Sequence, residues 1–276
     1  MHVAVQSSIM HHFADDTNII FSAKNPNKIA KTLNRDLKLL LEWLCANRLS
    51  LNASKTEFIV FRPPKKTLDK RIVLKLNRMT IYESNKIKYV GLIMDSRLSW
   101  NYHINELTKK LNRAVGIIYK IRSDCTQKVL LSLYYSIFHS HLSYGLSVWG
   151  ISNDCYLSKL RLLQKKIVRA ITFSDYKAHS APILKTLGIL EIKDLFKYKT
   201  TSLMFDYDHN NLPKSLSTLF VRRIDVHDRN LRDTSKNKLY TAHRFNNRHG
   251  YNSFSNYGAK LLNMAKDLIK DLKNLF

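Results

Sequence analysis

Acidic residues are scarce in this sequence of 276 residues. Its 21 Asp and Glu stand against 46 Lys and Arg, which leaves a formal net charge of +25. An excess of one sign repels itself in the compact state unless a polyanion neutralises it, and nucleic acid is the usual polyanion. An anionic membrane is the alternative partner. Because the basic residues are spread over the whole chain rather than collected in one tail, they favour a long polyanion.

Cysteine is scarce too. The three cysteines, Cys45, Cys125 and Cys155, lack the spacing of metal ligands and are too few for a disulfide scaffold, so we expect a reducing compartment. The N-terminus has no basic segment followed by a long apolar run. This absence predicts a chain that carries no signal peptide and is not secreted.

A long hydrophobic run of the kind that spans a membrane is also missing. The segment 129–153 contains no Lys, Arg, Asp or Glu, but serine, histidine and glycine interrupt it. A membrane span needs about 20 mostly apolar residues. We therefore interpret the segment as a buried helix, with a transmembrane helix as the less favoured alternative.

What the sequence does contain is a pair of adjacent carboxylates, Asp15 and Asp16, between strand-forming runs at 9–12 and 17–21. This pattern predicts a β-hairpin with the acids at its tip. Adjacent carboxylates repel each other unless a cation lies between them. Mg²⁺ accepts one or two protein carboxylates, and two such ions about 4 Å apart clamp both oxygens of a phosphoryl displacement. The hairpin is therefore a candidate half-site for nucleotidyl transfer; the alternative is an ordinary turn, where Asp is common.

The residues after the hairpin predict one helix and several short strands. Asn25 and Pro26 supply a cap and a first helical position, and leucines at helical spacing carry the helix to about Asn47. Gly91 lies inside the last predicted strand, where a glycine indicates a bulge or a close backbone approach. The predicted strands cover 57–61, 72–76, 79–82 and 88–94.

The apolar period then becomes helical. We predict one helix over 104–118, a second that Thr126 caps and that includes the uncharged segment, and a third over 157–171. Three consecutive helices with short connections are typical of a small bundle. The segment 182–204 is predicted to be mostly helical, and a last amphipathic helix to cover about 257–275.

Basic side chains recur on the predicted helices. Such faces are by default merely solvated, and it is their repetition that favours nucleic acid. The third helix carries several Lys and Arg for which we predict no acidic partner. The segment 222–248 mixes basic residues with Tyr240 and Phe245, which suits a phosphate track with base-stacking rings, although an ordinary polar loop explains it equally well. The candidate nucleic-acid contacts are Lys109, Lys110, Arg113, Lys165, Lys166, Arg169, Arg244 and Arg248.

Four motifs follow one another in the order and spacing of a known family. They are Phe13-Ala14-Asp15-Asp16; Trp43-Leu44-x-Ala46-Asn47-x-Leu49-x-Leu51-Asn52-x-x-Lys55-Thr56; Tyr89-Val90-Gly91; and Ser140-His141-Leu142-x-Tyr144-Gly145 through Trp149-Gly150. Together they resemble the reverse transcriptases of jockey-like, LINE-type non-LTR retrotransposons. The resemblance covers almost the whole chain and is least sharp after about residue 220.

The resemblance implies an α+β fold. A partial polymerase palm, made of antiparallel β-hairpins and a helix, is expected at 1–97; an all-α thumb bundle follows at 98–175, and a basic, mostly helical C-terminal region at 176–276. The implied activity is RNA-directed DNA polymerisation with two Mg²⁺ ions. The implied partners are an RNA template, a DNA primer and deoxynucleotides, with no membrane, and the implied location is nuclear or cytoplasmic.

The resemblance also assigns roles to individual residues. Asp15 is the implied metal ligand, with Asp16 beside it as a second one. Lys55 falls where the family places a lysine that protonates the departing pyrophosphate, a task that suits an ammonium group. Tyr89 and Gly91 lie in the implied primer-grip hairpin, where backbone and small side chains approach the primer terminus. The thumb helices are expected to hold the duplex through its phosphates.

The sequence departs from the family in one respect. In the family, another aspartate on a palm strand upstream of the hairpin holds the same metal ions, and the fingers bind the incoming nucleotide. The segment Met1–His12 contains no acidic residue. We therefore expect this chain alone not to polymerise DNA. The alternatives are a non-catalytic RNA- or DNA-binding module derived from such an enzyme, or a non-functional remnant.

Overall fold

The computed structural model describes residues 7–62, 71–77, 79–213, 216, 256–261 and 263–264. Within these residues the fold is α+β, with small antiparallel sheets and many helices, which confirms the predicted class. The chain divides into two units, Met1–His103 and Ile104–Phe276. Each unit is described by itself.

The described part of the first unit holds three two-stranded antiparallel sheets and one long helix, α1 (Pro26–Ala46). Each sheet consists of two strands that follow one another in the chain. In order, the strands are β1 (Ile9–Phe13), β2 (Asp16–Ile20), β3 (Leu74–Leu76), β4 (Met79–Ile81), β5 (Lys86–Tyr89) and β6 (Leu92–Asp95). The β1–β2 pair is the hairpin that the sequence predicts.

Helix α1 begins and ends where its sequence predicts. The side chain of Asn25 accepts a hydrogen bond from the backbone N–H of Asn27 at 2.9 Å, and Pro26 occupies a first-turn position whose N–H would be unpaired anyway. At the other end Arg48 has a φ of 56°. The N–H of Leu49 donates back to the carbonyl of Leu44 at 2.9 Å, which closes the last turn as in a Schellman motif.

Apolar side chains of α1 pack against two of the three sheets of this unit. Leu40 and Leu44 pack with Met10 of β1. Leu37 belongs to a second cluster, whose other buried members lie in or beside the β3–β4 pair: Ile72, Leu74, Leu76 and Ile81. Burial of a Leu, Ile or Met side chain contributes about 1.5–3 kcal/mol, so these contacts stabilise the packing of both sheets on α1.

Asn34 on α1 adds a polar link to β3. Its side-chain amide donates to the carbonyl of Val73 at 2.9 Å, and its carbonyl oxygen accepts from the N–H of Lys75 at 2.7 Å. The amide group therefore pairs with β3 as a neighbouring strand would, and it satisfies backbone groups that β4 does not reach.

Two of the predicted strands are wrong. The segment 57–61 forms only an isolated bridge, in which Phe58 pairs with Glu83, two residues beyond the end of β4. The segment 88–94 is not one strand with a bulge. Val90 and Gly91 have φ values of 44° and 75°, and consecutive positive φ values match the twist of a two-residue hairpin turn. The turn joins β5 to β6.

The described part of the second unit is helical. Helix α2 begins at the end of the first unit and continues into the second. Helices α2 and α6 confirm two of the predicted helices. Part of the predicted last helix, residues 256–261 and 263–264, is helical, and its remainder lies outside the described residues. The helices are α2 (Asn101–Ile121), α3 (Gln127–Leu133), a π-helical segment (Tyr134–His139), α4 (Ser140–Ser143), α5 (Leu146–Trp149), α6 (Asp154–Ile171), α7 (Ser180–Thr186) and α8 (Ile192–Asp208).

The prediction of one buried helix through the uncharged segment is confirmed only in part, because the segment is helical and buries one face but is not one continuous helix. The π-helical turn changes the helical geometry within the segment, and Gly145, with a φ of 60°, ends the helix before α5. A glycine is favoured there because other residues rarely adopt a left-handed backbone. The buried side chains of the uncharged segment include Leu130, Tyr134, Phe138 and Trp149. Among the described helices, none combines the length and the apolar character that a membrane span requires.

A buried amide, Gln164 on α6, joins three elements of this unit. Its Nε2 donates to the carbonyl of Leu190 at 2.9 Å and to the hydroxyl oxygen of Tyr134 at 3.2 Å, and its Oε1 accepts from the N–H of Ile192 at 3.1 Å. Burial raises the pKa of Tyr134 to about 12, while the hydrogen bond from Gln164 acts in the opposite direction. The phenol therefore stays protonated at neutral pH, and the network remains neutral.

Gly150 allows α8 to approach the end of α5. A Cβ atom at this position would lie 2.5 Å from both the carbonyl oxygen of Leu146 and the ring of Phe196. We expect Gly150→Ala to lower the free energy of unfolding by about 1–3 kcal/mol, because the helices must move apart to make room. Chemical unfolding measures the change. Gly116→Ala is the matched control, since a Cβ there meets nothing within 4 Å; equal losses in both variants would contradict the role of close packing.

His139, at the end of the π-helical segment, makes stability depend on pH. Burial of the ring lowers its pKa, and the positive charge of Lys199 acts in the same direction. The folded chain therefore binds fewer protons than the unfolded one, so stability should fall as the pH drops below about 6.5. The ring is partly exposed, and we expect the loss to stay below about 1 kcal/mol. Thermal unfolding between pH 7.5 and 5 measures it; His139→Gln should flatten the pH dependence, whereas His141→Gln, at an exposed position nearby, should not.

Candidate metal and nucleic-acid site

The two adjacent carboxylates lie at the tip of the β1–β2 hairpin. Ala14 and Asp15 form the turn, with a φ of 51° at Ala14, and Asp16 opens β2 opposite Phe13. Both aspartates are exposed. A tip buried among apolar side chains, or one held in another kind of element, would have contradicted the metal-site interpretation. The observed tip leaves both carboxylates open to a cation.

The base of the hairpin is anchored to α1. Met10 is buried against Leu40 and Leu44, and Ile19, its partner across the hairpin, packs against the same cluster. Because side chains alternate along a strand, Asp16 lies on the opposite face, together with Phe13. The packed base fixes the position from which the carboxylates extend.

A buried aspartate that the sequence analysis missed also holds the start of the hairpin. Asp36 on α1 is fully buried, accepts a hydrogen bond from the hydroxyl of Ser8, and lies 3.4 Å from the guanidinium of Arg35. Ser8 directly precedes β1. A charged residue in the middle of a leucine-rich helix gives no sequence signal that separates such an anchor from an ordinary solvated side chain.

The donor set at the tip fits a hard divalent cation. Carboxylate oxygens are the ligands that Mg²⁺ prefers, and it uses one or two of them together with water and phosphate. Asp15 and Asp16 can supply these two. In the described part of the chain, no group of three or more His, Cys, Asp and Glu side chains is arranged to hold a metal ion.

Lys55 lies in a one-turn 3₁₀ helix, Ala53–Lys55, within the second motif. Its N–H donates to the carbonyl of Asn52 at 3.1 Å, and Thr56 donates to the same oxygen at 3.0 Å. Leu51, four residues earlier, packs against the cluster that anchors the hairpin. The Lys55 side chain is exposed. Among the described contacts, no hydrogen bond or ion pair joins it to the aspartates at the tip.

Tyr89 and Gly91 belong to the β5–β6 hairpin. Tyr89 is half-buried and pairs with Leu92, while Gly91 lies exposed in the turn. The strained φ of Val90 beside it indicates a tight turn rather than a regular strand. The exposed backbone at Gly91 is open to close approach by a ligand.

Asp95, at the end of β6, organises the connection to α2 and was also missed. Its carboxylate accepts hydrogen bonds from the N–H groups of Arg97, Ser99 and Trp100 at 3.0 to 3.1 Å, and from the hydroxyl of Ser99 at 3.1 Å. A sequence signal for this does exist. An Asp that ends a strand, four residues before a Ser at a helix start, suits the capping of both the turn and the helix.

The basic residues selected on α2 lie on its exposed side. Lys109, Lys110 and Arg113 are all exposed, and the ammonium of Lys109 lies 2.6 Å from the carboxylate of Glu106. Lys109 and Arg113 are four residues apart, so they are neighbours on the helix surface. The lysines and arginines of this helix that have no acidic partner among the described contacts are Lys110, Arg113 and Lys120.

One basic residue of α6, Arg161, forms ion pairs that the sequence does not predict. Arg161 lies 2.8 Å from Asp154 and 2.9 Å from Glu191, so the prediction that this helix meets no acid is wrong. Asp154 lies seven residues before Arg161 on the same helix, whereas Glu191 is the residue before α8 and comes close to Arg161 only in the tertiary fold. The hydrogen bond from Lys193 and the nearby charges, including that of Arg161, lower the pKa of Asp154.

Three further basic residues of α6 were selected as candidate contacts. Lys165, Lys166 and Arg169 are all partly exposed. The Nε–H of Arg169 donates to the carbonyl of Ala178 at 2.8 Å, which fastens the loop after α6. Among the described contacts, no hydrogen bond or ion pair engages the ammonium group of Lys165 or Lys166. Arg244 and Arg248 lie outside the described residues, as does the whole segment 222–248.

Taken together, an exposed carboxylate pair on an anchored hairpin and basic helices are typical of a protein that acts on nucleic acid. Comparison with known proteins is more specific. The chain is 22% identical over 190 residues to the probable RNA-directed DNA polymerase from transposon X-element of Drosophila melanogaster, covering 68% of this chain and 21% of that protein. It is 24% identical over 222 residues to the RNA-directed DNA polymerase from mobile element jockey of the same species, covering 79% and 24%.

A relative from another insect agrees. The Pol polyprotein from type-1 retrotransposable element R1 of Bradysia coprophila is 26% identical over 147 residues, which cover 50% of this chain and 14% of that protein. The similarity to RNA-directed DNA polymerases of jockey and other non-LTR elements is thereby confirmed. The chain spans a quarter or less of the length of these relatives. No family model matches the chain, and no solved structure matches it significantly.

Proposed function

We propose that this chain is a portion of an RNA-directed DNA polymerase from a jockey-like non-LTR retrotransposon. The observation that carries the proposal is the exposed Asp15–Asp16 pair at the tip of a hairpin anchored on α1. Similarity to the relatives over most of the chain supports it. In this proposal residues 1–97 are part of the palm, 98–175 are the thumb, and 176–276 are a basic region of the polymerase.

Each candidate residue then has a role that its surroundings allow. Asp15 and Asp16 hold Mg²⁺, which when bound stabilises the charge that develops on a transferring phosphoryl group. Lys55, exposed on a short ordered turn, either donates a proton to the leaving pyrophosphate or stabilises its negative charge. The tight turn at Gly91 allows the backbone to approach the primer terminus.

The helices of the second unit hold the template–primer duplex. Exposed lysine and arginine side chains on α2 and α6 contact phosphates of an RNA template and a DNA primer, which positions the duplex without reading its sequence. The net charge of +25 supports this assignment and also favours the second candidate, a non-catalytic RNA- or DNA-binding module. Both roles require a nuclear or cytoplasmic location.

The 276 residues by themselves are proposed to be inactive as a polymerase. Loss of one carboxylate from a two-metal site removes several kcal/mol of transition-state stabilisation, or roughly 10³-fold in rate, and the nucleotide pocket is also needed. A primer-extension assay with Mg²⁺ tests this directly. The isolated chain should give no product, and a product that Asp15→Ala abolishes would overturn the claim of inactivity.

The catalytic assignment needs a second assay. The segment that precedes this region in the jockey relative, joined to the chain, should restore primer extension, and Asp15→Asn should then reduce the rate by roughly 10³-fold. Asp124→Asn, at an exposed acid between α2 and α3, is the matched control and should leave the rate unchanged. A restored activity that is insensitive to Asp15→Asn would exclude the hairpin as the metal site.

A further inference from the structure

Two exposed aromatic rings enclose an arginine where α2 and α6 end. The guanidinium carbon of Arg122 lies 5.0 Å from the centre of the Tyr119 ring and 5.9 Å from the centre of the Phe173 ring. Tyr119 is 40% exposed and Phe173 is 55% exposed. We call these three residues the aromatic platform. Its rings lie at the surface, so burial in the core does not explain them.

The backbone at Phe173 makes this residue unexpected on structural grounds. It follows the last turn of α6 with a φ of 55°, and the N–H of Ser174 closes the turn by donating to the carbonyl of Arg169 at 3.0 Å. Glycine is the usual residue at such a position, and a bulky side chain there is disfavoured. Neither backbone preference nor core packing therefore explains a bulky, exposed ring at this position.

The surroundings of the platform favour an anionic ligand. Lys120 follows Tyr119 directly, and Lys177 lies in the loop after Phe173 that the contact from Arg169 to Ala178 fastens. The segments 119–124 and 173–177 contain three basic residues, Lys120, Arg122 and Lys177, against the two acids Asp124 and Asp175, so their summed charge stays positive. With a central arginine and a chain charge of +25, a cationic ligand would be repelled. A flat ring attached to a phosphate backbone matches both the rings and the charge.

We infer that the aromatic platform binds an unpaired nucleobase of single-stranded nucleic acid. In a duplex the faces of each base are covered by its neighbours, so only an unpaired base offers a face to Tyr119, Arg122 or Phe173. The platform is thus a single-strand site in addition to the phosphate contacts of the helices. This inference rests on the proposed function only because it takes nucleic acid as the ligand.

Fluorescence anisotropy of the full chain with two duplexes tests the inference. One duplex is blunt, and the other carries a three-nucleotide single-stranded overhang. We expect the overhang to strengthen binding roughly 10-fold, because stacking of one base on an aromatic side chain is worth about that factor. An overhang of abasic nucleotides should lose the gain. Quenching of 2-aminopurine placed in the overhang reports the stacking itself.

Variants separate the platform from the rest of the surface. Phe173→Leu and Tyr119→Leu should each remove most of the overhang preference while the affinity for the blunt duplex stays unchanged. Tyr198→Leu is the matched control, since Tyr198 is 62% exposed on α8, and it should keep the preference. Phe173→Gly should lose the preference and unfold at an equal or higher denaturant concentration.

The possible failures are distinguishable. If both duplexes bind equally well, or if the abasic overhang binds as tightly as the normal one, the platform is not a base-stacking site and the inference is wrong. If neither duplex binds, the proposed function fails as well. A loss of blunt-duplex affinity in Phe173→Leu equal to its loss of overhang affinity also contradicts the inference.

Discussion

Raising the salt concentration from 50 to 200 mM is expected to weaken binding of a blunt RNA/DNA duplex by about 10²- to 10³-fold. Affinity for a polyanion falls with salt because each neutralised phosphate releases counterions, with a slope close to 0.9 per contact. The described helices carry six candidate contacts, of which Lys109 already pairs with Glu106 and Arg169 with the Ala178 carbonyl. Four contacts remain if both of these residues stay engaged and six if the duplex displaces their partners, and four to six contacts give the range above.

Paired substitutions locate these contacts. The double variant Lys110→Gln, Arg113→Gln should reduce the slope of log affinity against log salt concentration by about 2. Both side chains are exposed and lack an acidic partner among the described contacts. Lys193→Gln with Lys197→Gln removes the same charge from α8, where both lysines are paired with acids. That control should change the slope little. An affinity that stays flat from low to high salt contradicts the nucleic-acid interpretation for both candidate functions.

Replacing Asp95 by alanine is expected to lower the free energy of unfolding by about 3 kcal/mol or more. Its carboxylate accepts from three backbone N–H groups and one hydroxyl, and the N–H of Trp100 among them belongs to a buried residue. Hydrogen bonds to a charged group contribute about 1.5–3 kcal/mol each, although they do not add fully. Removal of the acceptor leaves these donors unpaired.

Chemical unfolding and amide exchange together test this role. Asp95→Asn keeps one carbonyl oxygen and should lose about half as much stability as Asp95→Ala. Asp124→Ala, at an exposed acid, should stay within about 0.5 kcal/mol of the parent chain. Amide exchange should accelerate at Arg97, Ser99 and Trp100 in Asp95→Ala. An unfolding midpoint equal to that of Asp124→Ala would show that the network contributes nothing.

The features that local rules decide were predictable from sequence. The β1–β2 hairpin follows from alternating strand formers around two turn acids, and the start of α1 follows from Asn25 and Pro26. The positions of Asp15 and Asp16 at an exposed tip were obtained in the same way. Each depends on residues within a few positions of one another, which is the range over which such rules hold.

Features that depend on distant contacts were not predictable. The ion pair of Arg161 with Glu191 and the hydrogen bonds of Gln164 join residues that are far apart in sequence. The turn at Val90 was mistaken for a strand because a β-branched residue with a positive φ contradicts its own preference. The requirement for glycine at 150 becomes visible only when Phe196 of α8 lies against it. The sequence alone does not show which residues lie next to these in the folded chain.

The measurement that tests the central claim most directly is relaxation of backbone amides by Mn²⁺, a paramagnetic stand-in for Mg²⁺. The account predicts that millimolar Mn²⁺ broadens the amides of Asp15 and Asp16 first, and that Mg²⁺ competes the effect away. Asp15→Asn combined with Asp16→Asn should abolish the broadening, whereas Asp124→Asn should leave it intact. Broadening that is absent at the hairpin tip, or that persists in the double variant, would contradict the claim that these carboxylates form a metal site.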